Sequence, residues 1–279
     1  MNYEATARIS VMLPTRKRPD LLKKSIESLV DNASSVDGID ILLAVDDDDT
    51  ITGEFLTNEL VPYLNEKNVA MRAFSFSRLG YKNLHQYANF LARESLGEWI
   101  MLWNDDAVMQ TQDWDQKIME YTGQFKVLRF KDNHNEHPNA IFPCVPRDWV
   151  ILFDTFSPHQ VSDSWISQIG YLTGIMQNCP EVYAYHNRFD LTGSESDEVS
   201  NERVFLDNDP SNPEDLNHPK QLELKVVWAK KLHWYLTKIG QNPGWLDNWL
   251  ADPTFDIWAT LKEVDVNGQM FTSLNSEDK

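Results

Sequence analysis

Apolar residues fall along this chain in two alternating rhythms. Largely apolar runs at residues 8–14 (RISVMLP), 39–45 (IDILLAV), 69–76 and 98–103 read as strands, those at 39–45 and 98–103 as buried ones. Pro19 and Asp20 open an amphipathic helix over residues 21–31, with Leu22, Ile26 and Leu29 on one stripe. Residues 54–64 and 84–96 carry the same helical spacing, and Gly97 ends the second of them. Strand and helix in alternation predict an α/β fold, with a mostly parallel sheet covered by helices on both faces.

Beyond residue 106 the pattern loosens. Residues 114–121, 147–153 and 163–178 read as helices, and residues 127–131, 140–145 and 182–186 as short strands. From residue 190 to 219 the chain is polar, acidic and rich in Asn, Ser and Pro, the composition of a long loop. Helical spacing returns over residues 221–239 with Leu224, Val227, Leu232 and Leu236, and residues 273–279 read as a frayed end. The expected division is a catalytic domain over residues 1–190, followed by an acidic loop and a helical extension over residues 191–279.

Composition narrows the functional class. With 42% hydrophobic residues in 279, the chain can bury a sizeable core, and no apolar run approaches a membrane span. The first eight residues lack a secretion signal, and the two cysteines, Cys144 and Cys179, form no disulfide framework, so a cytoplasmic location is expected. A formal charge of -18 disfavours nonspecific attraction to nucleic acid or anionic lipid. Two local basic groups remain, Arg16, Lys17, Arg18, Lys23 and Lys24, and Lys126, Arg129 and Lys131; such runs usually solvate a surface. Ten tryptophans, seven of them from Trp149 onward, supply faces for sugar or base stacking or simply for core packing.

The candidate chemistry lies at strand ends. The second strand empties into Asp46, Asp47, Asp48 and Asp49, the fourth into Asn104, Asp105 and Asp106, and the late strand ends at His186. In open α/β sheets ligands bind beyond the carboxyl ends of the strands, and oxygen ligands there suit a hard divalent cation. His186 as a nitrogen ligand would favour manganese among such cations. Read alone, the same residues also suit turns and helix caps.

The order of these pieces resembles family 2 glycosyltransferases, which have the GT-A fold. Val11 to Leu22 (VMLPTRKRPDLL) is similar to that family's opening, a strand ending in Pro-Thr followed by an Arg-Pro-Asp-Leu helix start. Val45 to Thr50 resembles its second-strand signature, with Asp48 and Asp49 in place of the usual small residues. Asn89 stands eight residues before Gly97, the family's spacing, and Asn104-Asp105-Asp106 occupies its Asp-x-Asp position with Asn104 for the first Asp. The likeness spans about residues 8 to 190, and residues 191–279 resemble nothing nameable.

That resemblance implies an inverting, metal-dependent enzyme moving a sugar from a nucleotide-sugar donor, a UDP-sugar above all, to an acceptor hydroxyl. It implies Asp163 as general base, and Asp106 and His186 as ligands of Mn2+ or Mg2+. It places Pro14, Thr15, Arg16, Asp46, Asp47, Lys82, His85, Asn89, Asn104 and Asp105 around the donor. The acceptor is a glycan or, in a phage-type enzyme acting in host cytoplasm, a hydroxymethylated DNA base, which would have to be flipped from its duplex. Two other readings stand beside it. The Asn104 replacement suits a degenerate GT-A binding module. The metal carboxylates suit a nucleotidyltransferase, although the first loop lacks that class's glycines.

Overall fold

A computed structural model describes residues 5–133, 138–188, 192–193, 198, 201–202, 215–216 and 218–243. Most of the expected acidic loop, Trp245, Trp249, Trp258 and the chain end lie outside the described residues.

The first half is the predicted alternation. Strands β1 (Ala7–Thr15), β2 (Ile39–Asp46), β3 (Ala70–Phe76) and β4 (Gly97–Leu102) run parallel, in the spatial order β3-β2-β1-β4. Helices α1 (Pro19–Asp31), α2 (Thr50–Phe55), α3 (Val61–Glu66) and α4 (Leu84–Glu94) connect them, with a π turn at Leu56–Leu60 between α2 and α3. Both faces of the central strands are buried. Ile9, Val11 and Leu13 of β1 and Ile41 and Leu43 of β2 join α1, α2 and α3 in one core. Met12, Leu42 and Ala44 face a second core with α4. Double burial explains the largely apolar runs of these strands.

The second half is mixed. Strands β5 (Ala107–Met109), β6 (Val127–Asp132), β7 (Cys144–Pro146) and β8 (Met176–His186) extend the sheet to β3-β2-β1-β4-β7-β6-β8-β5. β7 is antiparallel to β4 and β6, β6 is parallel to β8, and β5 is antiparallel to β8. Helices α5 (Trp114–Met119), α6 (Arg147–Phe153), α7 (Ser162–Leu172) and α8 (Pro219–Lys238) cover it. The helix expected over residues 163–178 stops at Leu172, because Gly174 takes φ +69° and the Ile175 N–H bonds back to the Gly170 carbonyl at 2.9 Å. β8 therefore starts six residues earlier than the sequence pattern indicates.

Helix α8 belongs to the second core. The Trp228 ring stacks on Phe153 (4.0 Å, 7°) and meets Trp165 edge-on at 5.6 Å. Trp99, Trp103, Trp114, Trp149 and Trp165 are fully buried, whereas Trp234 is 58% exposed. Cys144 and Cys179 are buried free thiols, and no described helix is long and apolar enough to cross a membrane. Gly97 is dictated by close approach: a Cβ there would lie 2.4 Å from the Ser10 nitrogen on the neighbouring strand.

Candidate active site

Three parallel strands deliver their carboxyl ends to one place. β1 ends at Thr15, β2 at Asp46, and β4 leads through Trp103 to Asn104, Asp105 and Asp106. They line a cavity of about 270 Å³ together with Pro14, Arg16 and Arg18. The far wall comes from Gln160, Val161, Ser162 and Asp163 at the start of α7, and from His186 at the end of β8.

His186 reaches this place through the mixed half of the sheet. β5 follows directly on Asp106 and pairs with β8 in the register Ala107↔His186. The Asn187 N–H completes the turn by donating to the Asp106 carbonyl at 2.9 Å. His186 Nε2 consequently lies 3.1 Å from Asp106 Oδ1 and 3.1 Å from Asn104 Nδ2. Asn133 fixes the backbone of His186 on both sides, accepting from its N–H at 2.7 Å and donating to its carbonyl at 3.1 Å.

This trio suits a cation. Adjacent ligands about 2.1 Å from an octahedral ion lie about 3.0 Å apart, close to the Asp106–His186 separation. A proton on Nε2 would donate to Asp106 Oδ1, and a cation shared by Nε2 and Oδ1 would take the place of that proton. Among the described residues no three His, Cys, Asp or Glu side chains form a closed metal cage. A carboxylate and an imidazole leave coordination positions for substrate phosphate oxygens and water, the usual arrangement for a hard cation at a phosphate site.

The charges around the trio are buried and paired. Burial is the largest influence on Asp105 and raises its pKa against the pull of Arg18 and the Thr15 hydroxyl. Burial also works against ionisation of Asp106, but the hydrogen bond with His186 and the charge of Arg18 outweigh it and hold this carboxyl below its usual range. Arg16 is clamped on the β2 carboxylates, donating to Asp46 Oδ2 at 2.9 Å and to Asp48 Oδ2 at 2.9 Å. The hydrogen bond to Asp48 leads the effects that raise the Arg16 pKa. Asp46 also accepts a short hydrogen bond from the Tyr87 hydroxyl, whose pKa rises through burial first and this bond second.

The other expected site residues fall in two groups. Asp163, the second residue of α7, lines the cavity with its carboxylate at the favourable positive end of that helix dipole. Asp47, Lys82, His85 and Asn89 do not line it. Asp47 is exposed and accepts from the Ser77 hydroxyl at 3.2 Å. Lys82 sits on an exposed 3-10 turn, Tyr81–Asn83, and His85 on the first turn of α4. Asn89 braces the chain ahead of α7: its Oδ1 accepts from the N–H groups of Phe156 (3.0 Å) and Ser157 (2.9 Å), and its Nδ2 donates to the Ser157 carbonyl at 2.8 Å. Asp49 caps α2 by accepting from the Thr52 N–H at 3.0 Å and also takes the Lys17 N–H at 2.6 Å, which accounts for an acidic residue there.

The cavity is also lined by Arg18, Arg78, Tyr87, Gln160, Ser162 and Arg188, which are not among the site residues expected from the sequence. Arg18 carries a local signal, since it opens the Arg-Pro-Asp-Leu helix start. Neither periodicity nor spacing marks the others.

No protein-family model matches the chain, and no curated protein matches it in sequence. Solved structures do. The mannosyltransferase PcManGT from Pyrobaculum calidifontis, in complex with GDP-Man and Mn2+, is similar over 100% of this chain and 90% of its own at a TM-score of 0.54 and 12% identity. S. aureus TarS residues 1–349 is similar over 98% of this chain and 92% of its own, at a TM-score of 0.51 and 12% identity, and at 0.50 and 13% in its complex with UDP-GlcNAc. At this identity the likeness establishes the fold, the GT-A type that the sequence resemblance implied.

Proposed function

We propose that this protein is a metal-dependent, inverting glycosyltransferase that moves a sugar from a nucleotide-sugar donor, a UDP-sugar, to an acceptor hydroxyl. The observation that carries the reading is the convergence of Asp106, His186 and Asn104 in one cavity with Asp163. Similarity in fold to proteins solved with GDP-Man and Mn2+ and with UDP-GlcNAc supports it.

The chain's own residues then divide the work. Asp106 and His186 would hold Mn2+ or Mg2+, whose charge stabilises the leaving diphosphate. Pro14, Thr15, Arg16 and Asp46, with Asn104 and Asp105, form the donor side of the cavity. On the acceptor side, the Asp163 carboxylate accepts the proton of the attacking hydroxyl. The acceptor oxygen forms a bond to the anomeric carbon as the bond from that carbon to the diphosphate breaks. The bonding pair leaves with the diphosphate, and one displacement inverts the anomeric centre. The charge of -18 favours a glycan over a DNA base as the acceptor.

The test is release of nucleoside diphosphate from a panel of UDP- and GDP-sugars, with Mn2+ or with EDTA. Turnover that needs the cation and disappears in Asp106→Ala is the expected result. Nucleotide binding without turnover of any sugar would make the chain a binding module instead. A gel shift at low salt checks the acceptor, since tight binding to hydroxymethylated DNA would reverse the preference for a glycan.

A further inference from the structure

Gln160 stands on the far wall of the cavity, just ahead of α7 and Asp163. It is only 8% exposed, yet its side-chain amide has no hydrogen-bond partner among the described residues. Buried amides are nearly always paired, because unmet donors and acceptors cost stability. Other neutral polar side chains on the lining are already engaged. The Thr15 hydroxyl donates to Asp105 at 2.7 Å, the Tyr87 hydroxyl to Asp46, and the Ser162 hydroxyl to the His159 carbonyl at 3.0 Å, while Asn104 Nδ2 lies 3.1 Å from His186 Nε2. The backbone on either side of Gln160 is braced: the His159 N–H donates to Ser157 Oγ and the Val161 N–H to His159 Nδ1, both at 3.1 Å. A held backbone thus presents an unpaired amide to the cavity, the arrangement of a group kept for a ligand.

We infer that Gln160 hydrogen-bonds hydroxyl groups of the transferred sugar and so helps select the nucleotide sugar. The inference rests on the glycosyltransferase reading and deepens it. An amide offers two donors and one acceptor, a set that matches neighbouring hydroxyls on a sugar ring. It is uncharged, which suits a sugar better than a diphosphate. Burial along this wall separates the transferred sugar from the acceptor. Asp163 is half-buried and has to meet a hydroxyl arriving from solvent, whereas Gln160 is buried and meets the ring already enclosed. The correct ring pairs the amide. A sugar with a hydroxyl turned away leaves it buried and unmet, which is how a polar site rejects a near-isostere.

The experiment measures, with Mn2+ present, the binding of UDP, GDP, UDP-glucose, UDP-galactose, UDP-GlcNAc and GDP-mannose to the wild-type protein, Gln160→Leu and Gln160→Met. Thermal unfolding of all three proteins is recorded alongside. The tightest-binding nucleotide sugar of the panel should bind more tightly than its parent diphosphate, and should lose about tenfold in both variants, the scale of one or two neutral hydrogen bonds. The parent diphosphate should change less than twofold. The unfolding temperature should stay the same or rise, because no hydrogen bond within the protein is lost. Nucleotide-sugar affinity unchanged in the variants, or no tighter than that of the diphosphate in the wild type, would overturn the inference. An equal loss for sugar and diphosphate, or a lower unfolding temperature in both variants, would overturn it as well, by making Gln160 a structural residue. If the wild-type protein binds neither UDP nor GDP nor any of the nucleotide sugars, the donor reading itself fails, and this inference with it.

Discussion

Replacing Asn89 by Leu separates a brace from a ligand. The Asn89 amide serves three backbone groups of Phe156 and Ser157, both 0% exposed, at 2.8 to 3.0 Å. Leu keeps the volume but strands two N–H donors and one carbonyl in a region with little access to water. Each unmet buried group costs about 1–3 kcal/mol, and partial relaxation toward solvent puts the total at about 3–5 kcal/mol. In a chain of this size 1 kcal/mol shifts Tm by about 2–4 °C, so thermal unfolding should move down by roughly 6–20 °C. The loosened turn leads into α7 and Asp163, so kcat should fall as well, while UDP affinity changes little because Asn89 does not line the cavity. Unfolding monitored by circular dichroism, paired with UDP titration, checks both parts. A loss of UDP affinity above tenfold at unchanged Tm would refute the reasoning and return Asn89 to the donor contacts that the sequence resemblance implied.

Asp163→Asn should abolish transfer with nearly unchanged affinity for the donor sugar; residual turnover with a large affinity loss would remove Asp163 from the role of base. His186→Ala should raise the Mn2+ concentration needed for half-maximal activity by about 10–100-fold, read from a metal titration, and an unchanged titration would take His186 out of the cation site. Trp228→Ala removes the ring stacked on Phe153 and should cost about 3–5 kcal/mol in urea unfolding; a cost under about 1 kcal/mol would show that α8 adds little to the second core. Acid should destabilise the fold through Asp115. Burial, the largest single effect, favours its neutral form, but hydrogen bonds from the Ser34 N–H (2.7 Å) and hydroxyl (2.8 Å), with Arg8 at 3.1 Å, hold its folded pKa below the usual value. Its stabilisation is therefore complete above the unfolded value near about 4 and is lost as pH falls through the folded one. Urea midpoints between pH 6 and pH 3 should drop less steeply in Asp115→Asn, and identical slopes would contradict this assignment.

The sequence by itself determined the parallel half of the sheet and which residues stand at its carboxyl edge. Strands buried on both faces need continuous apolar runs, and an apolar run that stops at Asp46 or Asn104 places that residue at a strand end whatever the rest of the chain does. Gly97 reads in the sequence as the end of the helix before it, but α4 stops at Glu94 and Gly97 opens β4, where the strand passes too close to Ser10 for any side chain. Only the tertiary structure decided how these ends combine. The pairing of His186 with Asp106 depends on the antiparallel register of β5 and β8, whose paired residues lie 75 to 79 positions apart in sequence. The Arg18–Asp105 pair spans 87 residues and the Asn89 brace 67 to 68. A side chain's periodicity reports which face is buried, not which distant partner meets it there. For Asp105 and Asn89 the partner decides whether the residue serves the donor or the protein that surrounds it.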